Sequence, residues 1–307
     1  MADMFSENAY YGYIIKGDLP GAIAYAKHHG QQELYERFMA VFEREQYIVY
    51  DVDSDLNELL TIYQRYYRDA FYLHPGKRKA EDALRARLAD FFGLCGGSTG
   101  LDDMEQNHVA EAVQCRGLHF LGGKTSGYYG PYIWKTTEAK TYEVELPDGV
   151  QTYTVKLLDG FIAKSWIDYL SFGEIGPGGW ADGDGVIHCV KSAYDFGSES
   201  FKVSLLKHEA QHARDLFLHK DMPSEELEYR AKLVELIYST ERNLLTQFAQ
   251  EASSADVSNG HAFASNKIIE GFVRELGRSR TELEALPNEE IRAVAGALFA
   301  QSAKQAQ

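Results

Sequence analysis

His208-Glu209-Ala210-Gln211-His212 decides how this chain is read. In a helix, residues four apart lie one turn apart on one face. The imidazoles of His208 and His212 then point the same way and reach one small cation. Glu209 projects beside them, where a carboxylate touches a metal-bound water without ligating the metal. Working outward, Phe201, Leu205, His208, His212 and Leu216 follow one helical stripe. Both histidines therefore face inward, while Lys207 and Arg214 fall off the stripe. A helix that merely buried two histidines would have to find a partner for each and would leave Glu209 without a purpose.

A catalytic zinc site has three protein ligands and one open position. The continuation HExxHxxGxxH fails here: Asp215 stands in the glycine position, Leu218 in that of the third histidine, and His219 comes one residue late. The other common solution is a glutamate from the next helix. Pro223-Ser224-Glu225-Glu226-Leu227-Glu228 reads as the start of that helix, with Ser224 as N-cap and Glu225 and Glu226 facing the positive end of its dipole. Glu228, one turn in, is the expected third ligand. Glu235, two turns further along the same face, is the reserve. The competing account of Glu228 is a solvated helix glutamate.

This constellation resembles the gluzincin branch of the zincin metallopeptidases, over about residues 185 to 240. The resemblance implies that His208, His212 and Glu228 bind Zn²⁺ and that Glu209 is the general base. Two departures stand out. Many gluzincins carry an aspartate four residues after the third ligand, where this chain has Lys232, and Arg214 occupies a position that is usually apolar. Asp215, three residues after His212, is the candidate partner for a ligand histidine, with an exposed helix aspartate as the alternative. The family often supplies a later histidine or tyrosine to the oxyanion, and His261, Tyr229 and Tyr238 are the candidates.

Composition narrows the partners. The 307 residues are 45% hydrophobic and 25% charged, which is ordinary for a globular chain. A net charge of −15 gives no broad basic surface, so neither nucleic acid nor an anionic membrane is expected. Lys77-Arg78-Lys79 is the densest basic run and reads as a solvated face. The first residues are acidic and no apolar h-region follows, so no signal peptide is expected. No stretch approaches a membrane span. Cys95, Cys115 and Cys189 suggest no disulfide framework, and a reducing cytoplasm is the expected compartment.

The fold class expected is α+β: a helical domain over residues 1–95, then a zincin-like domain over 101–307. Helical periodicity covers 19–29, 32–46, 55–73 (capped near Ser54 or Asp55) and 77–92. Tyr63, Tyr66, Tyr67 and Tyr72 are expected in core and groove. Residues 93–100 form the linker. Segments 141–146 and 152–157 alternate around Pro147-Asp148-Gly149 and read as a β-hairpin. A short helix follows at 162–170, and 171–185 is a glycine-rich loop. Its Asp182-Gly183-Asp184-Gly185 reads as a turn rather than a calcium loop, because Val186 and Ile187 break the spacing. Val186–Val190 reads as a strand, and the zincin resemblance implies that it is the edge strand against which an extended peptide pairs. Helices beginning near 259 and 288 end the chain.

The expected activity is a zinc peptidase acting on a peptide or protein. Two alternatives remain: a helical interaction module whose zincin-like domain is inactive or structural, and a zinc hydrolase of a non-peptide substrate. Substrate specificity and oligomeric state stay open.

Overall fold

The computed structural model describes residues 4–74, 76–94, 99–181, 185–241, 243–252 and 260–305. It is an α+β protein made of two compact units, each drawn from two stretches of chain. One unit holds residues 1–136 and 159–177; the other holds 137–158 and 178–307. Residues 93–100, read as a linker, therefore lie within the first unit, and Cys95 to Ser98 are outside the described residues. Among the described residues no helix is long and apolar enough to cross a membrane.

The first unit is mainly helical. Asp18 caps the helix Leu19–His28 by accepting from the Gly21 N–H at 3.0 Å. Asp53, not Ser54 or Asp55, caps Ser54–Arg68, because its carboxylate reaches the N–H groups of both Asp55 and Leu56. The long helix expected over 55–73 relaxes into a π-helical turn at Asp69–Leu73, and the one expected over 32–46 does so at Met39–Glu43. Tyr63, Tyr66 and Tyr67 are core residues, and the Tyr72 hydroxyl donates to Glu43 at 2.6 Å. Lys77, Arg78 and Lys79 are exposed, as a solvated face requires. Three short strands, His119–Leu121, Tyr132–Trp134 and Ala163–Lys164, form a small antiparallel sheet that the sequence pattern did not reveal. Runs of two or three residues carry too little alternation to be recognised.

The second unit places the HExxH motif. Its sheet has four strands: the hairpin Thr136–Leu146 and Gly149–Asp159, then Ile187–Val190, then Gly179–Ala181. Each hairpin strand is longer than its alternation suggested. Ile187–Val190 pairs parallel with the second hairpin strand and antiparallel with Gly179–Ala181. It is thus an interior strand, which corrects the edge-strand expectation. The edge is Gly179–Ala181, inside the stretch read as loop. Its Gly179 is forced by crowding, since a Cβ there would lie 2.5 Å from the His188 carbonyl oxygen and from Leu205. Asp182 to Asp184, in the stretch read as a turn, lie outside the described residues.

The sheet's buried face (Val144, Val155, Leu157, Ile187, Cys189) shares one core with Phe201, Leu205 and Ala210 from the next segment. That segment is π-helical from Ser200 to Lys207 and α-helical from His208 to Leu218. The helix Ser224–Tyr238 packs against it, and also against Gly260–Leu276 and Asn288–Gln305. Residues 229–236 of this central helix are all buried, with no solvent face. Its charged residues consequently need partners inside. Arg230 binds Asp215 at 2.8 Å and Ser302 at 2.7 Å. Lys232 binds Glu251 at 2.8 Å, and Glu235 binds His208 at 2.7 Å. Ser224 does not cap this helix; its hydroxyl donates to Glu225 instead.

Candidate metal centre

The helix His208–Leu218 and the central helix Ser224–Tyr238 bring the three expected ligands together. One donor atom from each of His208, His212 and Glu228 lies within 4.8 Å of the others. The Nε2 atoms of the two histidines are 2.9 Å apart. Each stands 3.5 Å from a different oxygen of Glu228. Four-coordinate zinc with bonds of about 2.0–2.1 Å separates its donors by about 3.3 Å, so the donor triangle has the right size. Two imidazoles and a carboxylate also have the right chemistry for such an ion.

The cluster is electrostatically uneven. His208 and His212 are both largely enclosed, and burial alone disfavours the charged form of each. For His208 the carboxylates of Glu228 and Glu235 overcome that burial and raise it to about 10. For His212, burial and the neighbouring positive His208 lower it to about 3, so it is a neutral imidazole. Glu228 is held well below the usual carboxylate range by the His208 and His261 hydrogen bonds, which outweigh its burial. The proton kept on His208 is the one that a divalent cation would displace.

Glu235, the reserve ligand, lies outside the group of three donors and touches one of them from behind. Its Oε1 lies 2.7 Å from His208 Nδ1, with both side chains under one-tenth exposed. The ring's other nitrogen, Nε2, is thereby turned toward Glu228 and His212. A carboxylate behind a ligand histidine fixes its tautomer and orientation. Asp215, the expected partner, is committed to Arg230 and plays no such part. Lys232, which stands where the family has its aspartate, points instead to Glu251 and the Phe248 ring. The carboxylate that meets His208 stands seven residues after Glu228. That spacing, two turns along one face, is the signal in the sequence.

Glu209 is partly buried beside the cluster, and desolvation raises its carboxyl above the ordinary range. The backbone N–H of Ala181, on the edge strand, donates to it. His261 also reaches the centre: its Nδ1 lies 2.9 Å from Glu228, and its ring lies parallel to that of His208 at 6.3 Å. Among the described residues, Tyr229 and Tyr238 make no hydrogen bond to the centre's three donors. Tyr229 lies under Lys267 and Tyr238 under Lys207. His188 stacks on Trp180 within the sheet, at 5.1 Å between centroids.

Compared with protein-family models, curated proteins and solved structures, the chain matched none.

Proposed function

We propose that this protein is a zinc-dependent peptidase of the gluzincin kind. The observation that carries the reading is the meeting of His208, His212 and Glu228, from two consecutive helices, within 4.8 Å. His208, His212 and Glu228 would hold the ion, with zinc the metal best matched to the donors. When bound, such an ion lowers the pKa of a water and polarises a carbonyl. Glu209 takes a proton from the attacking water and delivers it to the leaving amine, a task that suits a carboxyl shifted upward by burial. Ala181 aims the Glu209 carboxylate through its N–H. The outer side of Gly179–Ala181 offers the backbone groups with which an extended peptide pairs. His261, whose Nδ1 lies against Glu228, is the candidate donor to a developing oxyanion.

One observation favours a competing reading. His261 already touches Glu228, and as a fourth donor it would close the site and make the metal structural. Elemental analysis of the purified protein, beside His208→Ala, Glu228→Ala and His261→Ala, decides between them. A peptidase should carry about one zinc per chain, lose it in the first two variants, and keep it in the third. Glu209→Gln should keep its zinc and lose turnover of a mixed peptide library. A protein that takes up no zinc, or a Glu209→Gln variant that still cleaves, would remove the proposal. Loss of zinc in His261→Ala would instead indicate the closed, structural site.

A further inference from the structure

The first unit contains a buried carboxyl that the proposed peptidase chemistry does not use. Glu105 is 1% exposed and opens a π-helical turn, Glu105–Val109. Such turns recur at functional sites. Its oxygens accept from the Tyr63 hydroxyl at 2.7 Å and from the Gly123 N–H at 2.5 Å. Both donors are neutral. Among the described residues no lysine, arginine or histidine lies within ion-pair distance of it. The nearest cation, Lys124, is paired with Glu81 at 3.0 Å and sits over the Tyr129 ring. A buried carboxylate with no counter-charge is costly, and burial pushes this one up to about 7.

Beside it lies a cavity of about 280 Å³. Glu105, Asp102, Gln106 and Gln114 supply its polar wall; Ala110, Phe120 and Leu121 supply its apolar wall. None of the lining residues is cationic. Asp102 accepts from the Tyr129 hydroxyl at 2.8 Å. Gly122 is needed where it stands, since a Cβ there would come within 2.9 Å of Glu105 Oε2 and of the Phe120 ring. The lining thus combines acceptor oxygens with carbon and holds no cation. Its size is near the small end of ligand pockets, which start at about 300 Å³.

We propose that this cavity binds a small primary ammonium group, with Glu105 as its anchor and Phe120 and Leu121 against its carbon chain. The ammonium supplies the positive charge that the carboxylate lacks, and its three N–H donors match Glu105, Asp102 and the amide oxygens. The ligand binds the ionised carboxyl, so its affinity depends on pH. Asp102, Tyr63, Tyr66, Tyr67, Tyr129 and Lys124 are the other titratable groups around Glu105.

The test is calorimetric titration of the full chain with n-butylammonium chloride, against sodium chloride of equal ionic strength. The amine stays protonated throughout this range. With the carboxyl at about 7, roughly nine-tenths of it is ionised at about pH 8 and roughly one-tenth at about pH 6, so affinity should fall about tenfold on acidification. Glu105→Gln keeps the shape and loses the charge, and should abolish binding. Ala110→Phe keeps the carboxyl and fills the cavity, and should also abolish it. No saturable heat with the unmodified protein, or equal binding in Glu105→Gln or Ala110→Phe, would overturn the assignment. So would an affinity that does not change with pH.

Discussion

Replacing Glu235 tests the metal centre without touching a ligand. Its Oε1 accepts from His208 Nδ1 at 2.7 Å in a place with almost no solvent. A hydrogen bond to a charged group contributes about 1.5–3 kcal/mol, and a neutral one about 0.5–1.5. Glu235→Ala removes the whole bond, leaves a buried N–H unpaired and frees the ring to turn. The expected loss in zinc affinity is about 10–100-fold, the range found for groups behind metal ligands. Glu235→Gln keeps an acceptor and loses the charge, so its loss should be nearer tenfold, about 1.4 kcal/mol. The assay is competition for zinc against a chromogenic chelator at neutral pH, with circular dichroism to check the fold. His208→Ala and Glu228→Ala provide the scale for losing a ligand outright. If Glu235→Ala binds within about threefold of the unmodified protein, well short of the expected loss, the orienting role is wrong. If it loses zinc as completely as His208→Ala does, Glu235 is itself a ligand.

Arg230→Met should leave Asp215 buried and unpaired, at a cost of about 3–5 kcal/mol. The second unit should then melt about 6–20 °C lower in a thermal scan. Glu105 makes the first unit less stable as pH rises. Its carboxyl ionises near 4.5 when unfolded and near 7 when folded, so between those values the native state holds the extra proton. Stability should fall by on the order of 3 kcal/mol from about pH 4.5 to about pH 7 and then level off. Urea titrations across that range should show the decline, and Glu105→Gln should flatten it. For turnover, the acid limb of the kcat/KM profile should lie above the ordinary carboxylate range, because burial raises Glu209. A limb at or below that range would separate Glu209 from the proton transfer.

Much of the candidate centre was legible because helical geometry is local. The i, i+4 spacing of His208 and His212 fixes their common face, and one more helix brings Glu228 to them. What sequence could not supply was the choice among buried acids. Asp215 and Glu235 sit on suitable faces of their helices, and only packing decides that one meets Arg230 and the other His208. On the central helix Arg230, Lys232 and Glu235 are each buried and paired with a different neighbour, a choice that only the packing of the surrounding helices makes. The sheet was half visible. The hairpin's alternation declared it, whereas the three residues of Gly179–Ala181 are too short to carry a period and lie in a stretch of glycines.

The interleaving of the two units constrains how the chain can be made. Each unit is completed only after part of the other has been synthesised: 159–177 closes the first after the hairpin of the second has emerged. The second hairpin strand must wait for its parallel partner, Ile187–Val190, about thirty residues later. At roughly 5–20 residues per second, that leaves a bare strand edge for a few seconds on the ribosome. Unpaired edges invite pairing with other chains. The alternate charged and polar residues of the hairpin (Glu143, Glu145, Thr152, Thr154) keep one of its faces hydrated during that interval. For the same reason no single cut in the gene separates the units, so a fragment carrying only the HExxH helices would lack the hairpin that completes its sheet.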